Sequence, residues 1–324
     1  MAIGQEMTRA TKDDAGESPD APGSARSVSG DRTDTDAGSH DASCVVCGCV
    51  SERVVWRENG YEARSCECGA LYTAPFPAPH AIDLTLDAHT DDFYRLPARL
   101  KVRWLSRNGR GGSLLEIGCG EGHFLEAAQR AGFRVSGLEI DPARARRAAA
   151  RLTVPITCGR IEDVEIPGAA FDVVYHCDLL SHFPDPLLAL ARMKNLLCNE
   201  GVLAFEVGLV ADIATFWHEL SGTLDLPQHR WFYSERSLAA LLRKAGFTIV
   251  ESKHFGLAPQ VLMRRVAGFA GRFVSRGGAS SESRSSGHAL DGAYARLDAF
   301  VRYRIGAFAP RIGPATLFVL ARPV

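Results

Sequence analysis

The sequence predicts a doubly wound α/β protein, a seven-stranded and mostly parallel sheet with a small cysteine-bearing module ahead of it. Three observations carry that expectation. From Ser113 onward, short apolar runs alternate with longer stretches of helical periodicity, the pattern of repeated strand–helix–strand units. A glycine-rich turn, Gly118-Cys119-Gly120-Glu121-Gly122, closes the first of these runs and opens the first helix. Cys44, Cys47, Cys49, Cys66 and Cys68 crowd together before the alternation begins.

At 324 residues and 46% hydrophobic, the chain can bury one sizeable core plus a smaller piece. Residues 1–43 are rich in Asp, Ser, Gly, Thr and Ala and nearly lack large apolar side chains, so a disordered tail is expected there. Residues 44–75 form the cysteine module. Residues 76–112 hold a Pro-rich linker, TAPFPAPH at its start, and a leading helix from about Asp91 to Arg107, with Pro97 inside it. The main domain runs over 113–324.

Its strands are expected in SLLEIG, FRVSGLEI, VPITCGR, FDVVYHC, GVLAFEVG, FTIVESKHF and the terminal ATLFVLARP. Helices are expected in HFLEAAQRAG, PARARRAAARL, PLLALARMKNLL and SERSLAALLRKAG; Gly132 and Gly246 close two of them and Ser234 caps the last. A helical insertion at about 258–313 separates the sixth and seventh strands. Its first piece, VLMRRVAGFAGRFV, is basic and amphipathic, which fits a lid over a cleft or a membrane-surface helix, and SRGGASSESRSSG is a low-complexity linker.

A formal net charge of -1 and a sequence pI near 6.8 supply no broad basic field, so nucleic acid is disfavoured as a partner. The sequence has neither a membrane-spanning apolar run nor an export signal, and a cytoplasmic protein is expected. In that setting clustered cysteines point to metal before disulfide. Cys44-x-x-Cys47 and Cys66-x-Cys68 are two chelating pairs around a stretch of strand character, the layout of a zinc ribbon, with Cys49 a rival ligand. Four thiolates leave no open coordination position, so such a zinc would be structural.

The glycine turn alone suits several nucleotides. A pyrophosphate-binding turn wants G-x-G-x-x-G, and His123 stands where its third glycine belongs. What the chain has instead, Glu116-x-Gly118-x-Gly120-x-Gly122, resembles the first motif of class I S-adenosylmethionine-dependent methyltransferases. A carboxylate before the turn suits a ligand carrying ammonium and sulfonium charges and repels a pyrophosphate. By this resemblance the fold is Rossmann-like, its last strand, TLFVLARP, runs antiparallel, and Glu116, Gly118, Gly120 and Gly122 face the amino-acid end of the cofactor. Glu139, with Asp141 as the alternative, accepts from the ribose hydroxyls. Arg160, Ile161 and Glu162 border the adenine, although the family more often has Asp where Arg160 stands; Asp178 belongs to the cofactor cleft.

Methyl transfer from a sulfonium requires alignment of the nucleophile and, for a hydroxyl, a base. His182, in a Leu-Ser-His-Phe-Pro-Asp-Pro run that resembles small-molecule methyltransferases of this group, and His229, in LPQHRWFYS, are the two candidates. Relatives that act on quinone precursors pair this histidine with acidic residues one and four positions earlier; here Asp178 is kept and Ser181 replaces the other. The acceptor is expected to be a small molecule, its atom (O, C or N) and the oligomeric state being undetermined. The competing readings are an NAD(P)-dependent oxidoreductase, which Glu116 and His123 disfavour, and a non-catalytic S-adenosylmethionine-binding protein.

Overall fold

The computed structural model describes residues 42–77, 91–107, 111–168, 170–213, 224–256, 296–308 and 315–324. The expected tail through residue 41, the basic amphipathic piece of the insertion and its low-complexity linker lie outside the described residues. Ala42, 2% exposed, already packs into the core, two residues before the expected start of the cysteine module.

Seven strands make the main sheet: β4 (Ser113–Ile117), β5 (Arg134–Glu139), β6 (Ile156–Cys158), β7 (Phe171–Cys177), β8 (Leu197–Gly208), β10 (Phe247–Phe255) and β11 (Thr316–Pro323). Their order across the sheet is β10-β11-β8-β7-β4-β5-β6. The strands from β8 to β6 pair in parallel, and β11 runs antiparallel to both of its neighbours. The sheet therefore matches the expected fold class in strand number and direction.

Both faces are covered, which is why the strands read as continuous apolar runs. Leu115, Ile117, Val174, Leu203 and Phe205 face α4 (Pro186–Asn195) and α5 (Glu235–Lys244). Leu114, Val173, Tyr175, Val202 and Phe318 face α1 (Asp91–Arg107) and α2 (His123–Arg130). Phe205 is fully buried, and truncation to Ala there costs ~3–5 kcal/mol. The helix α1 runs through Pro97 without a break. Ser234 caps α5 in a reciprocal capping box with Ser237, and Asp141 caps α3 (Pro142–Leu152), accepting from the amides of Ala143 and Arg144 at 2.7 and 2.8 Å. Among the described residues, no helix is long and apolar enough to cross a membrane.

The cysteine module holds β1 (Val54–Glu58) and β2 (Tyr61–Ser65), joined through Asn59-Gly60, and β3 (Leu71–Ala74). Its sheet has a fourth strand, β9 (Trp231–Phe232), from within the main domain: Leu71 pairs with Phe232 and Tyr72 with Trp231. The module thus shares its core with the main domain. Phe76 packs edge-on to Trp231 at 5.3 Å, and a Cβ at Gly69 would lie 2.7 Å from Ser234 Oγ, so the second cysteine turn rests directly on the α5 cap. The aromatic run Trp231-Phe232-Tyr233 is core, no residue of it more than 4% exposed.

Candidate active site

The carboxyl ends of β4, β5 and β7 converge on the glycine turn. Gly118, Gly120 and Gly122 have φ of 68°, 54° and 79°, a region that side chains with a Cβ rarely adopt, and a Cβ at Gly118 would lie 2.7 Å from Leu179 Cδ1. The turn therefore keeps backbone close to the strand ends, its Gly118 and Cys119 amides bonded to the Leu138 carbonyl and its Gly120 amide to Glu139.

Two carboxylates flank that turn. Glu139, 4% exposed, accepts from the Gly120 amide at 2.6 Å and from the Asp141 amide at 3.0 Å. Asp141, the sequence alternative for the ribose, is committed to the α3 cap. Glu116 is 5% exposed, and its Oε2 has no hydrogen-bond partner. Burial pushes its carboxyl well above the usual carboxylate range, more than the nearby Lys101 ammonium and Leu125 amide pull it down. An orphaned acidic oxygen beside a backbone cradle fits a ligand with a cationic amino group, and Glu139 retains lone pairs for a diol. These residues fit S-adenosylmethionine.

Ile161 is buried in the core, while Arg160 is 41% exposed in its side chain and lies 3.6 Å from Glu162 and 3.4 Å from Asp163. Asp178 is exposed at the end of β7, with a φ of 57°, its amide donating to the Glu206 carbonyl at 2.8 Å. His123, at the start of α2, stacks on Tyr94 with ring centroids 5.5 Å apart.

The two candidate bases are neighbours. The His182 and His229 rings lie 4.5 Å apart, centroid to centroid, with 38° between their planes. The Gln228 carbonyl is 2.8 Å from His182 Nδ1; a carbonyl only accepts, so Nδ1 carries the proton and Nε2 the lone pair. Burial first, and then the proximity of His229, lower the His182 pKa, which keeps that lone pair free at neutral pH. His229 Nδ1 is buried without a hydrogen bond, 3.9 Å from Asp225 Oδ2. Ser181, which replaces the family's acidic residue, donates its hydroxyl to the Asp178 carbonyl and so closes the turn.

The segment bearing His229 is held from both sides. The Ser181 carbonyl accepts from the amides of Arg230 and Trp231, Trp231 Nε1 donates to the Phe183 carbonyl at 2.9 Å, and Tyr233 OH donates to the Leu180 carbonyl at 3.1 Å. From the module, Thr73 Oγ1 donates to the His229 carbonyl at 2.6 Å, the Thr73 amide to the Arg230 carbonyl, and Asn59 Nδ2 to the Leu226 carbonyl at 2.7 Å.

Sequence reasoning missed a buried polar group on the α1 face of the sheet. Lys101 Nζ lies 3.0 Å from Glu206 Oε2 and 3.2 Å from Cys177 Sγ, and Tyr303 OH donates to the Glu206 carboxylate at 3.0–3.1 Å. Tyr303 sits in a π turn, Val301–Ile305, that follows the helical residues 296–300 at the end of the insertion. The signal was Glu206 itself, an acid inside the apolar run GVLAFEVG.

In the module, Cys44, Cys47, Cys66 and Cys68 bring their four sulfurs within 4.8 Å of one another; Cys44 and Cys68 are 3.5 Å apart, Cys47 and Cys66 3.2 Å. Zinc–sulfur bonds of about 2.3 Å in a tetrahedron place sulfurs about 3.8 Å apart, so the group is compatible with a structural zinc. Cys49, the rival ligand, is exposed outside the group. Burial opposes ionisation of Cys47, but the Cys49 amide and the Cys66 thiol outweigh it and bring its pKa to about 7. Among the described residues, this is the one cluster of three or more metal-type side chains, and it does not include His182.

A family profile described as a methyltransferase domain matches residues 88–252, half of the chain. The ubiquinone biosynthesis O-methyltransferase of Actinobacillus pleuropneumoniae serotype 7 is 35% identical over 120 residues, 34% of this chain and 51% of that protein. The malonyl-[acyl-carrier protein] O-methyltransferase of Serratia marcescens is 27% identical over 208 residues, 61% of this chain and 76% of that protein. The chain thus spans about half the length of the first of these relatives. A solved S-adenosylmethionine-dependent methyltransferase from Clostridium acetobutylicum, 11% identical, superposes over 71% of this chain and 92% of its own with a TM-score of 0.43. Because the matched segment takes in the glycine turn, both flanking carboxylates and both histidines, the chain belongs to the methyltransferase-domain family, of the class I, S-adenosylmethionine-dependent kind.

Proposed function

We propose that the protein transfers a methyl group from S-adenosylmethionine to an oxygen of a small-molecule acceptor. The observation that carries the reading is the glycine turn with Glu139 bonded to its Gly120 amide and the unpartnered Glu116 oxygen beneath it. When bound, the cofactor supplies a methyl group already activated on a sulfonium. Glu116 would hold its ammonium, Glu139 its ribose hydroxyls, and Arg160, Ile161 and Glu162 would border its adenine, with Asp178 at the edge of the cleft. The names of the relatives, O-methyltransferases both, support oxygen as the acceptor atom.

His182 is the base in this reading. Its Nδ1–H is fixed on the Gln228 carbonyl, so Nε2 takes the proton that an acceptor hydroxyl loses as the oxygen gains its methyl. The tilted His229 ring lies beside it and contributes to its environment. Because the His182 pKa is depressed, the base stays active below the ordinary histidine range, and the rate falls only as pH drops through the depressed value.

Isothermal calorimetry with S-adenosylmethionine, its demethylated product and NAD tests the cofactor; NAD binding without S-adenosylmethionine binding overturns the reading. Transfer of label from methyl-tritiated cofactor into a small-molecule extract tests the reaction. His182→Ala should lower transfer by about 10²–10⁴-fold with cofactor affinity retained. For the module, we propose one zinc on Cys44, Cys47, Cys66 and Cys68 in a structural role; elemental analysis finding no stoichiometric zinc removes it.

A further inference from the structure

Next to His229 in the chain lies a cation with no anion among the described residues. Arg230 is 6% exposed, its Nη2 donates to the Pro77 carbonyl at 2.9 Å, and its Nε has no partner. Among the described residues no carboxylate lies within ion-pair distance of it: the ion pairs of this region join Arg160 to Glu162 and Asp163, and His229 to Asp225. Its charged neighbour is a second cation, Arg160, which together with burial makes the guanidinium easier to deprotonate than an ordinary arginine.

Burying an unpaired charge is among the costliest arrangements a fold can adopt. A carbonyl satisfies one of five guanidinium donors and none of the charge. Its backbone is clamped at both ends: the Arg230 amide donates to Ser181 at 2.7 Å, and its carbonyl accepts from Thr73 at 2.9 Å. Arg160, 41% exposed in its side chain, stands nearer the surface and is paired through its Nε with Glu162 and Asp163. A buried guanidinium with an unused Nε–H, and a second, more exposed guanidinium acting on it, offers donors and charge to an oxyanion.

We propose that Arg230, with Arg160 at the rim, binds an anionic group, a carboxylate or a phosphate, carried by the acceptor. The anion completes the donor set of Arg230 and tethers the acceptor beside the strap that carries His229. The assignment of the ligand as acceptor rests on the methyltransferase reading above; the anion site itself does not.

The test follows the Arg230 Nε–H resonance in the full-length, metal-loaded chain by ¹⁵N–¹H spectroscopy, assigned by its loss in Arg230→Gln. Inorganic phosphate and malonate are titrated separately at constant ionic strength, which distinguishes the two sources of negative charge. The expected result is a saturable shift with at least one anion, about tenfold weaker binding in Arg230→Lys and a smaller weakening in Arg160→Gln. A linear, non-saturating response to both anions overturns the proposal, as does saturable binding that survives unchanged in Arg230→Gln. Should Arg230→Gln not fold, the titration of the unmodified chain and of Arg230→Lys still decides. Calorimetry with S-adenosylmethionine on the same samples keeps the readings apart: its failure removes the acceptor role and leaves the anion result standing.

Discussion

The two sides of the cleft are built from different kinds of contact. On the cofactor side, Gly118, Gly120, Gly122 and Glu116 lie within one strand and the turn after it, and Glu139 reaches that turn from the next strand. On the histidine side, Asn59 meets Leu226 across 167 residues, Glu58 meets the Leu224 amide across 166, and Thr73 meets His229 across 156. One side is a local motif; the other exists only after segments distant in the sequence are brought together. A change on either side should therefore leave the other nearly intact, and that independence can be tested.

The largest effect is expected at Glu139. Its carboxylate anchors the turn and is the proposed ribose acceptor, so Glu139→Ala should weaken S-adenosylmethionine binding by about 10²-fold or more, the loss of two charge-assisted hydrogen bonds. Calorimetry measures the affinity. The neighbouring histidine pair should keep its imidazole resonances, and their movement in this variant would break the independence of the two sides.

Next is the metal. Cys66→Ser, or chelation of the purified protein, should abolish stoichiometric zinc and lower the melting temperature, because the module shares its core with α5 and β9. Cofactor affinity should change by no more than about threefold, since the glycine turn belongs to other elements. Methyl transfer should fall if the histidine pair plays its proposed part.

A smaller effect concerns Glu116. Its carboxyl is held above its ordinary value by burial, so its protonated form adds stability that is complete below the usual carboxylate pKa and is lost as pH rises through the raised value. Glu116→Gln should flatten the loss of cofactor-free stability across that window. A cationic ligand restores the ionised form, so binding should release a proton, visible as a calorimetric heat that varies with the ionisation enthalpy of the buffer. A heat independent of buffer would show that Glu116 is already ionised.

The same division explains what the sequence made legible. Strands with apolar neighbours on both faces, the Gly118–Gly122 turn and the Ser234 cap depend on residues a few positions apart, and each was read within a residue or two of its place, except that β8 begins at Leu197, four residues before the expected start. The four zinc-type cysteines were legible because two close pairs flank one hairpin. The union of β3 with β9 was not, because a two-residue strand has no periodicity to read. His182 and His229 stood as rivals for one role, since nothing in a sequence of this kind says that residues 47 positions apart touch. Glu206 advertised an unknown partner; only the fold supplies Lys101 and Tyr303.

The smallest expected effect bears on the longest-range contact. Thr73 is fully buried, and its hydroxyl and amide hold the carbonyls of His229 and Arg230. Thr73→Val keeps the shape and removes one donor, leaving the His229 carbonyl short of a partner at a cost of about 1–2 kcal/mol, read from denaturant unfolding. A purely structural role would stop there. If Thr73 positions the histidine strap, the variant should also move the His182 and His229 imidazole resonances and shift the acid limb of the transfer rate, while S-adenosylmethionine affinity stays put and Thr73→Ser restores all three readouts. Unmoved imidazoles in a destabilised Thr73→Val protein would reduce the module to a scaffold and confine the chemistry to the main domain.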